Sequence, residues 1–260
     1  MSKVIAVANQ KGGVGKTTTS VNLAASLHAV KRSVLLIDMD PQGNATTGVG
    51  LDKHNPIASL SDVLLGDVKI DSAIQRIGDT RMSAISGGPD LTVAEVHLMN
   101  MDEREYRLES ALRTVRNDFD YVIIDCPPSL NMLTVNALVA ADSVLIPMQC
   151  EYYAMEGLSA LIRTIETIRE AANPDLHITG LLRTMYDPRS NLARDVSREL
   201  LEVFKDKVYN TAIPRNVRLA EAPSHGMPAL MYDQKSRGAL AYLALAAEIL
   251  RKEASRKVAA

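Results

Sequence analysis

Aromatic residues are scarce in this sequence, which has no tryptophan, two phenylalanines and only 4% aromatic residues among its 260 positions. Its apolar content of 47% still allows a large core, so we expect that core to be mainly aliphatic. No apolar run approaches the ~20 residues that a membrane-spanning helix needs. The formal net charge is only −2, so any contact with nucleic acid must depend on a local basic patch.

Cysteine is also rare, and the two cysteines, Cys126 and Cys150, lack the CxxC spacing of metal and redox motifs. We interpret them as buried structural thiols in a reducing compartment, which predicts a cytoplasmic protein. Because the first apolar run follows Met1 at once, we expect neither a targeting segment nor an N-terminal DNA-reading domain. Since no linker, repeat or low-complexity tract interrupts the sequence, we expect a single domain over residues 1–260.

A glycine-rich segment near the start of the chain has the context of a phosphate-binding loop. The apolar run Val4–Ala8 precedes it, and an amphipathic pattern through Leu27 follows it, which predicts strand, loop and helix in that order. The candidate nucleotide-binding residues here are Lys11, Gly12, Gly13, Val14, Gly15, Lys16, Thr17 and Thr18. Lys16 is expected to contact the β- and γ-phosphates of a nucleotide, and the Thr17 hydroxyl is expected to bind Mg²⁺.

The loop departs from the ordinary pattern because it has Gln10 where the first glycine is expected, and it adds a second lysine, Lys11. Taken alone, Lys11 could be an ordinary solvated loop lysine. The stretch KGGVGKTTT, however, resembles the deviant Walker A loop of the ParA/MinD group of ATPases. In that group the extra lysine crosses a dimer interface to the partner's nucleotide, so the resemblance implies a catalytic role for Lys11 together with Lys16.

Two apolar runs end in aspartate, as strands that lead to a metal–phosphate site often do. Asp125 follows the run Tyr121–Ile124 and matches a Walker B carboxylate, which is expected to meet Mg²⁺ through water or to bond the threonine of the loop. Asp38 and Asp40 follow the run Val34–Ile37. They could simply cap a turn before a proline, but the resemblance implies that Asp38 lies near the metal and that Asp40 orients the attacking water.

The rest of the chain alternates between strand and helix patterns, which predicts an α/β fold with a single doubly wound, mostly parallel sheet flanked by helices. Further strands are expected at 82–86, at 143–148 and near 208–209, and residues 178–187 are expected to form a strand with its exit loop. Further helices are expected at 57–65, 102–117, 130–140, 155–171, 192–204 and 238–252.

The resemblance to the ParA/Soj family extends over almost the whole chain. The segments that carry it are residues 11–19, 38–44, 125–128 and 213–228, the last reading IPRNVRLAEAPSHGMP. By analogy, Met185, Pro214 and Asn216 line the adenine site, and Asn216 makes a hydrogen bond to the base edge. A proline-initiated turn with a helix cap is the alternative for the segment that contains Pro214 and Asn216.

The resemblance also implies a function. Family members of this short type hydrolyse ATP with Mg²⁺, form an ATP-bound sandwich homodimer on nonspecific double-stranded DNA, and are released when a centromere-bound ParB-type partner stimulates hydrolysis. The expected location is therefore cytoplasmic and nucleoid-associated. Among the basic residues of the C-terminal third, we favour Arg189 and Arg218, supported by Arg215, as DNA contacts. Scattered solvated charges are the alternative.

Two other functions occur among ATPases that resemble this group. A MinD-like membrane-surface ATPase needs an amphipathic helix with bulky apolar residues, and the tail 251–260 has no Leu, Phe or Trp, so we expect no membrane contact. A reductase related to nitrogenase iron protein needs paired interface cysteines, which Cys126 and Cys150 match poorly.

Overall fold

The computed structural model describes residues 2–78 and 80–259, with side chains described up to residue 255. Its strands are β1 (Lys3–Val7), β2 (Val34–Asp38), β3 (Gln75–Arg76), β4 (Met82–Ile85), β5 (Tyr121–Asp125), β6 (Ser143–Gln149), β7 (His177–Tyr186) and β8 (Val208–Pro214). They form one sheet in the order β3-β4-β2-β5-β1-β6-β7-β8. β3 runs antiparallel to β4, and the other pairings are parallel. The predicted mostly parallel sheet is confirmed.

Helices connect the strands and cover both faces of the sheet. They are α1 (Lys16–Ala29), α2 (Asn44–Gly48), α3 (Leu60–Leu65), α4 (Ile70–Ala73), α5 (Asp90–Leu98), α6 (Arg107–Leu112), α7 (Met132–Ala140), α8 (Ala154–Ala171), α9 (Asn191–Phe204), α10 (Val217–Glu221), α11 (Ala229–Tyr232) and α12 (Arg237–Ala259). Short 3-10 turns occupy Arg116–Asp118, Lys205–Lys207 and Ala222–His225. Among the described residues, no helix is long and apolar enough to cross a membrane.

Polar side chains begin several of these helices. The Ser59 hydroxyl accepts from the backbone N–H of Asp62 at the start of α3, and the Asp62 carboxylate in turn accepts from Ser59. The side chains of Asn131 and Ser190 each accept from one backbone N–H group at the start of α7 and α9. Each cap satisfies a backbone donor that has no partner inside the helix.

Alternate residues of the central strands enter two separate apolar layers, one on each face of the sheet. In β1, Val4 and Ala6 belong to one layer, whereas Ile5 and Val7 belong to the other. α1 and α12 pack on the second layer, while α7 and α8 pack on the first. Because both faces are covered, the central strands read as continuous apolar runs.

β1 lies between β5 and β6, and β2 lies on the far side of β5. In parallel sheets of this kind, ligands bind off the carboxyl ends of the strands where the connections diverge. The loop after β1 and the aspartates that end β2 and β5 therefore meet at one edge of the sheet.

The predicted helix at 102–117 is wrong. The structure has α6 over only 107–112 and a 3-10 turn at 116–118, although Leu108, Leu112 and Val115 are buried as the pattern indicated. Glu103 has a φ of 51°, a conformation that interrupts a helix. Nearby, α5 was not predicted, because Val93 and Val96 on its exposed side obscure the amphipathic pattern.

Candidate active site at the carboxyl edge of the sheet

The loop between β1 and α1 turns through two glycines with left-handed backbone conformation. Gly13 has a φ of 74°, and Gly15, which immediately precedes α1, has a φ of 88°. Both values lie in the region that side chains disfavour. The glycines thus let the chain curl around the N-terminus of α1, where backbone N–H groups and the helix dipole favour an anion.

Three polar side chains that the motif did not reveal support this loop. Asn9 donates to the carbonyl of Pro147 (2.8 Å) and accepts from the backbone N–H of Lys11 (3.0 Å). Gln149 donates to the carbonyl of Gly13 (3.1 Å), and Thr184 donates to the carbonyl of Val14 (2.7 Å). Asn9 follows β1, Gln149 ends β6 and Thr184 lies two residues before the end of β7. Their position near strand ends is the signal that could have found them.

Lys16 lies inside the loop. Its side chain is buried, and Nζ donates to the carbonyl of Lys11 at 3.1 Å. Burial lowers the pKa of Lys16, and the negative charges of Asp125 and Asp40 oppose that effect. The ammonium group therefore lies inside the loop, where it can contact a bound polyphosphate.

Lys11 lies outside the same loop. Its side chain is 45% exposed, and Nζ forms an ion pair with Glu151 at 2.6 Å. Glu151 follows the end of β6 and is 49% exposed. The two lysines, five residues apart, therefore point to different surroundings, one enclosed and one open to solvent.

Asp38 and Asp125 are directly opposed in the ladder between β2 and β5, and both are fully buried. Asp38 accepts from the backbone N–H and the hydroxyl of Thr46, both at 2.7 Å. Asp125 Oδ1 accepts from the Ser20 hydroxyl at 2.7 Å. Burial raises the pKa of both carboxyls, and for Asp125 the nearby charge of Asp38 adds to the effect.

The second oxygen of Asp125 gives the clearest indication of a metal position. Oδ2 is buried without a hydrogen-bond partner, and the Thr17 hydroxyl is near enough to lower the carboxyl pKa. Hydroxyl and carboxylate oxygens are ligands that suit Mg²⁺, which in such sites is completed by phosphate and water. Both oxygens of Asp38 already accept hydrogen bonds. Within the described residues, no group of three or more His, Cys, Asp or Glu side chains could hold a metal alone.

Asp40 lies two residues beyond the end of β2 and is 8% exposed. Its Oδ1 accepts from the backbone N–H of Gln42 at 2.9 Å, as in the turn-capping interpretation. Its charge also acts on Lys16, Asp38 and Asp125. The structure therefore brings Asp40 to the same edge as the loop, while its role with water remains a prediction.

A cavity of about 200 Å³ opens beside the N-terminus of α1. Met185, Pro214 and Asn216, the three residues predicted to contact adenine, line it together with Thr18 and Gly15. Oδ1 of Asn216 is buried and has no hydrogen-bond partner. A free acceptor at that position can receive a hydrogen bond from an exocyclic amino group of a base.

The three candidate DNA-binding arginines lie on the surface. Arg189 is 89% exposed and bonds Asp187 through two nitrogens, at 2.8 and 3.0 Å. Arg218 pairs with Glu221 at 2.7 Å and Asp233 at 3.2 Å. Arg215 is exposed and lies at the rim of the cavity. All three guanidinium groups thus have acidic neighbours, since the charge of Arg215 also lowers the pKa of Asp187.

The cysteines are buried and do not form a disulfide, as the sequence predicted. Burial raises the pKa of both thiols, to about 11 for Cys150. Neither is therefore a ready thiolate.

Comparison with known proteins identifies the family. Residues 2–178 match a family described as an AAA domain. The sporulation initiation inhibitor protein Soj of Bacillus subtilis is 52% identical over 249 residues, which are 96% of this chain and 98% of that protein. The chromosome partitioning protein ParA of Myxococcus xanthus is 50% identical over 253 residues, which are 97% of this chain and 89% of that protein. The chain belongs to the ParA/Soj family of chromosome-partitioning ATPases.

Solved structures agree with the ParA/Soj assignment at the level of the fold. A Mycobacterium smegmatis structure, described as cobyrinic acid a,c-diamide synthase with bound ATP analog and magnesium, has a TM-score of 0.86 at 41% identity, covering 98% of this chain and 97% of that chain. The cell division ATPase MinD of Pyrococcus furiosus has a TM-score of 0.80 at 25% identity, covering 96% and 99%. The ParA/Soj relatives are thus nearer in sequence than MinD.

Proposed function

We propose that this chain is a DNA-partitioning ATPase, whose ATP-bound sandwich dimer holds nonspecific DNA until hydrolysis releases it. The observation that carries the proposal is the pair of lysines around one phosphate-binding loop. Lys16 is enclosed by the loop, whereas Lys11 is exposed on its outer side. One loop can therefore offer a cation to its own nucleotide and another to a nucleotide bound by a second copy.

The substrate is ATP, which is converted to ADP and phosphate. The M. smegmatis relative was solved with an ATP analog and magnesium. The enclosed Lys16 and the unbonded oxygen of Asp125 in this chain suit the same two ligands. The loop N–H groups and Lys16 would bind the phosphates, and Thr17 and Asp125 would hold Mg²⁺, with Asp38 close to the metal. When bound, Mg²⁺ neutralises charge on the phosphates. Asp40 orients the attacking water, and the cavity at Met185, Pro214 and Asn216 receives adenine.

Dimerisation completes the site by placing Lys11 of each copy on the nucleotide of the other. To do so, Lys11 must leave Glu151, and an exposed ion pair of this kind is worth only about 0–1 kcal/mol. Gly12 is expected to lie at the contact between copies. Since nothing lies within 4 Å of a Cβ added there, Gly12→Val should fold normally and still prevent dimerisation.

DNA binding is assigned to Arg189 and Arg218 with Arg215 in support. Two symmetry-related copies double each charge, so modest patches are enough on a nearly neutral chain. Release follows when a ParB-type partner stimulates hydrolysis. The cellular location that follows from this cycle is the nucleoid.

The test combines three measurements on the full chain. Sedimentation with a nonhydrolysable ATP analogue should show a dimer for the natural protein and a monomer for Gly12→Val. DNA mobility shift should require ATP, ignore base sequence and weaken steeply with salt. Flotation with anionic liposomes, which tests the MinD-like alternative, should leave the protein in the unbound fraction. Liposome binding without DNA binding would reject the proposal.

A further inference from the structure

β8 contains a bulge just before it reaches the base cavity. Leu181 of β7 pairs with Val208, but the next paired residue, Arg183, lies opposite Ala212. β8 therefore advances four residues while β7 advances two. We call residues 209–211 the β8 bulge. Bulges re-aim the chain that follows them and are enriched next to functional sites.

Two buried side chains of opposite charge hold the β8 bulge from different elements. Arg183 of β7 donates to the carbonyls of Tyr209 (3.0 Å) and Asn210 (2.9 Å). Glu248 of α12 accepts from the backbone N–H groups of Asn210 (2.8 Å) and Thr211 (2.9 Å). Two successive peptide groups thus lie between a guanidinium and a carboxylate. Charges arranged in this way polarise the peptide groups and strengthen both sets of hydrogen bonds.

Neither side chain forms an ion pair in the part of the chain described, although the positive charge of Lys252, one turn further along α12, also acts on Glu248. Arg183 is 8% exposed and Glu248 is 4% exposed, and the remaining contacts of their charged groups are to neutral groups such as the Ser197 hydroxyl. Burying an ion without compensation is costly. Because both ions bond the same short segment, we infer that they maintain the conformation of the β8 bulge.

The β8 bulge is also seated by packing. A Cβ added at Gly180 would lie 2.4 Å from the Tyr209 ring, so the ring lies directly over the backbone of β7. Beyond the bulge, Ile213, Pro214 and Asn216 line the base cavity. A second shift follows, since β7 advances three residues from Arg183 to Tyr186 while β8 advances two from Ala212 to Pro214. The bulge therefore leaves β8 one residue ahead of an even register where it reaches the cavity.

We propose that Arg183 and Glu248 are positioning residues for base recognition, which hold the β8 bulge so that Pro214 and Asn216 meet the nucleobase. The proposal rests on the proposed function, since it assumes that the cavity receives the base of ATP. It predicts that loss of either charge weakens recognition of the base while leaving recognition of the phosphates intact.

The test compares Glu248→Gln with the natural protein in calorimetric binding of Mg–ATP, Mg–GTP and Mg–tripolyphosphate. Glutamine is isosteric, but one of its two terminal groups donates and cannot accept from Asn210 or Thr211. The Kd for ATP should rise about tenfold, comparable to the loss of one hydrogen bond, and the preference for ATP over GTP should fall. The Kd for tripolyphosphate, which contacts only the loop, should not change.

Glu253→Gln is the matched control, because Glu253 lies on the same helix but bonds Lys3 and Tyr121 at the opposite edge of the sheet. It should bind all three ligands like the natural protein. Arg183→Lys, which keeps the charge but loses the two-pronged donor, should reproduce the pattern of Glu248→Gln.

Three results would overturn the proposal: equal losses for ATP and tripolyphosphate, unchanged ATP binding in both variants, or failure of both variants to fold. If the natural protein does not bind Mg–ATP, the proposed function fails instead.

Discussion

The charged side chains at the phosphate-binding edge of the sheet differ in burial and bonding from those on the arginine-bearing surface. At the edge, Lys16, Asp38 and Asp125 are buried and bonded to fixed partners. On the surface, Arg189 and Arg218 are exposed and pair with neighbouring carboxylates. Removing one member of a buried charged group has large consequences, whereas exposed pairs contribute little and are screened by salt. We therefore expect abrupt losses at the edge and graded, salt-dependent losses on the surface.

The largest effect is expected at Lys16. Lys16→Ala removes the only lysine ammonium enclosed by the loop in the described structure, so ATP binding or hydrolysis should collapse. Calorimetry measures ATP binding, and phosphate release measures hydrolysis. The matched control is Lys31→Ala, an exposed lysine just after α1, which should behave like the natural protein. Normal turnover by Lys16→Ala would contradict the assignment of the loop.

Asp40→Ala should separate binding from chemistry at the same edge. If Asp40 orients water, its loss should slow hydrolysis on the order of 10²-fold or more without abolishing ATP binding or dimerisation. The variant should accumulate as an ATP-locked dimer on DNA. Asp52→Ala, an exposed aspartate of the following loop, serves as the control. Loss of ATP binding in Asp40→Ala would assign Asp40 a structural role.

On the surface, Arg189→Ala and Arg218→Ala should each lower DNA affinity several-fold and make the salt slope shallower by about one unit per lost phosphate contact. Nucleotide affinity should not change. The pair with Asp187 sharpens the test, because Asp187→Asn frees the Arg189 guanidinium and should raise DNA affinity. Arg113→Ala, which changes an exposed arginine just after α6, is the control. If Arg113→Ala lost as much DNA affinity as Arg189→Ala and Arg218→Ala, the effect would come from total charge and not from a binding surface.

The smallest effect concerns stability. Because the pKa of Asp125 is raised by burial, the folded protein retains a proton that the unfolded chain releases above pH ~4. This contribution to stability is present at low pH and is lost as the pH rises toward the folded pKa. Asp125→Asn cannot lose a proton, so its melting temperature without Mg²⁺ or nucleotide should fall less between pH 5 and 8. A melting temperature that falls equally with pH in the natural protein and in Asp125→Asn would contradict this prediction.

The sequence was most informative where one short segment carries both structure and chemistry. The loop at 11–18 and the apolar runs ending in Asp38 and Asp125 could be placed at one edge, because parallel strands bring their carboxyl ends together. The cavity residues Met185, Pro214 and Asn216 were assigned only through the family resemblance, and they do line one cavity.

Long-range supports could not be predicted in the same way. Gln149 and Thr184 bond loop carbonyls, yet each is an ordinary polar residue far from its partner in sequence. The β8 bulge was missed for a related reason, since it is fixed by Arg183 and Glu248 from other elements. The single domain, the catalytic roles and the DNA contacts remain predictions.

The central claim is that Lys11 acts on the nucleotide of a second copy, and a mixing experiment tests it most directly. Lys11→Ala and Asp40→Ala are each expected to be nearly inactive alone. In a mixed dimer, the Asp40→Ala copy retains Lys11 and can supply it to the Lys11→Ala copy, whose own Asp40 is intact. A cation supplied in this way can raise the rate by ~10³-fold or more. We predict that ATP turnover reappears on mixing and follows the population of mixed dimers measured by sedimentation. Full activity of Lys11→Ala as an isolated monomer, or no recovery despite mixed dimers, would contradict the account.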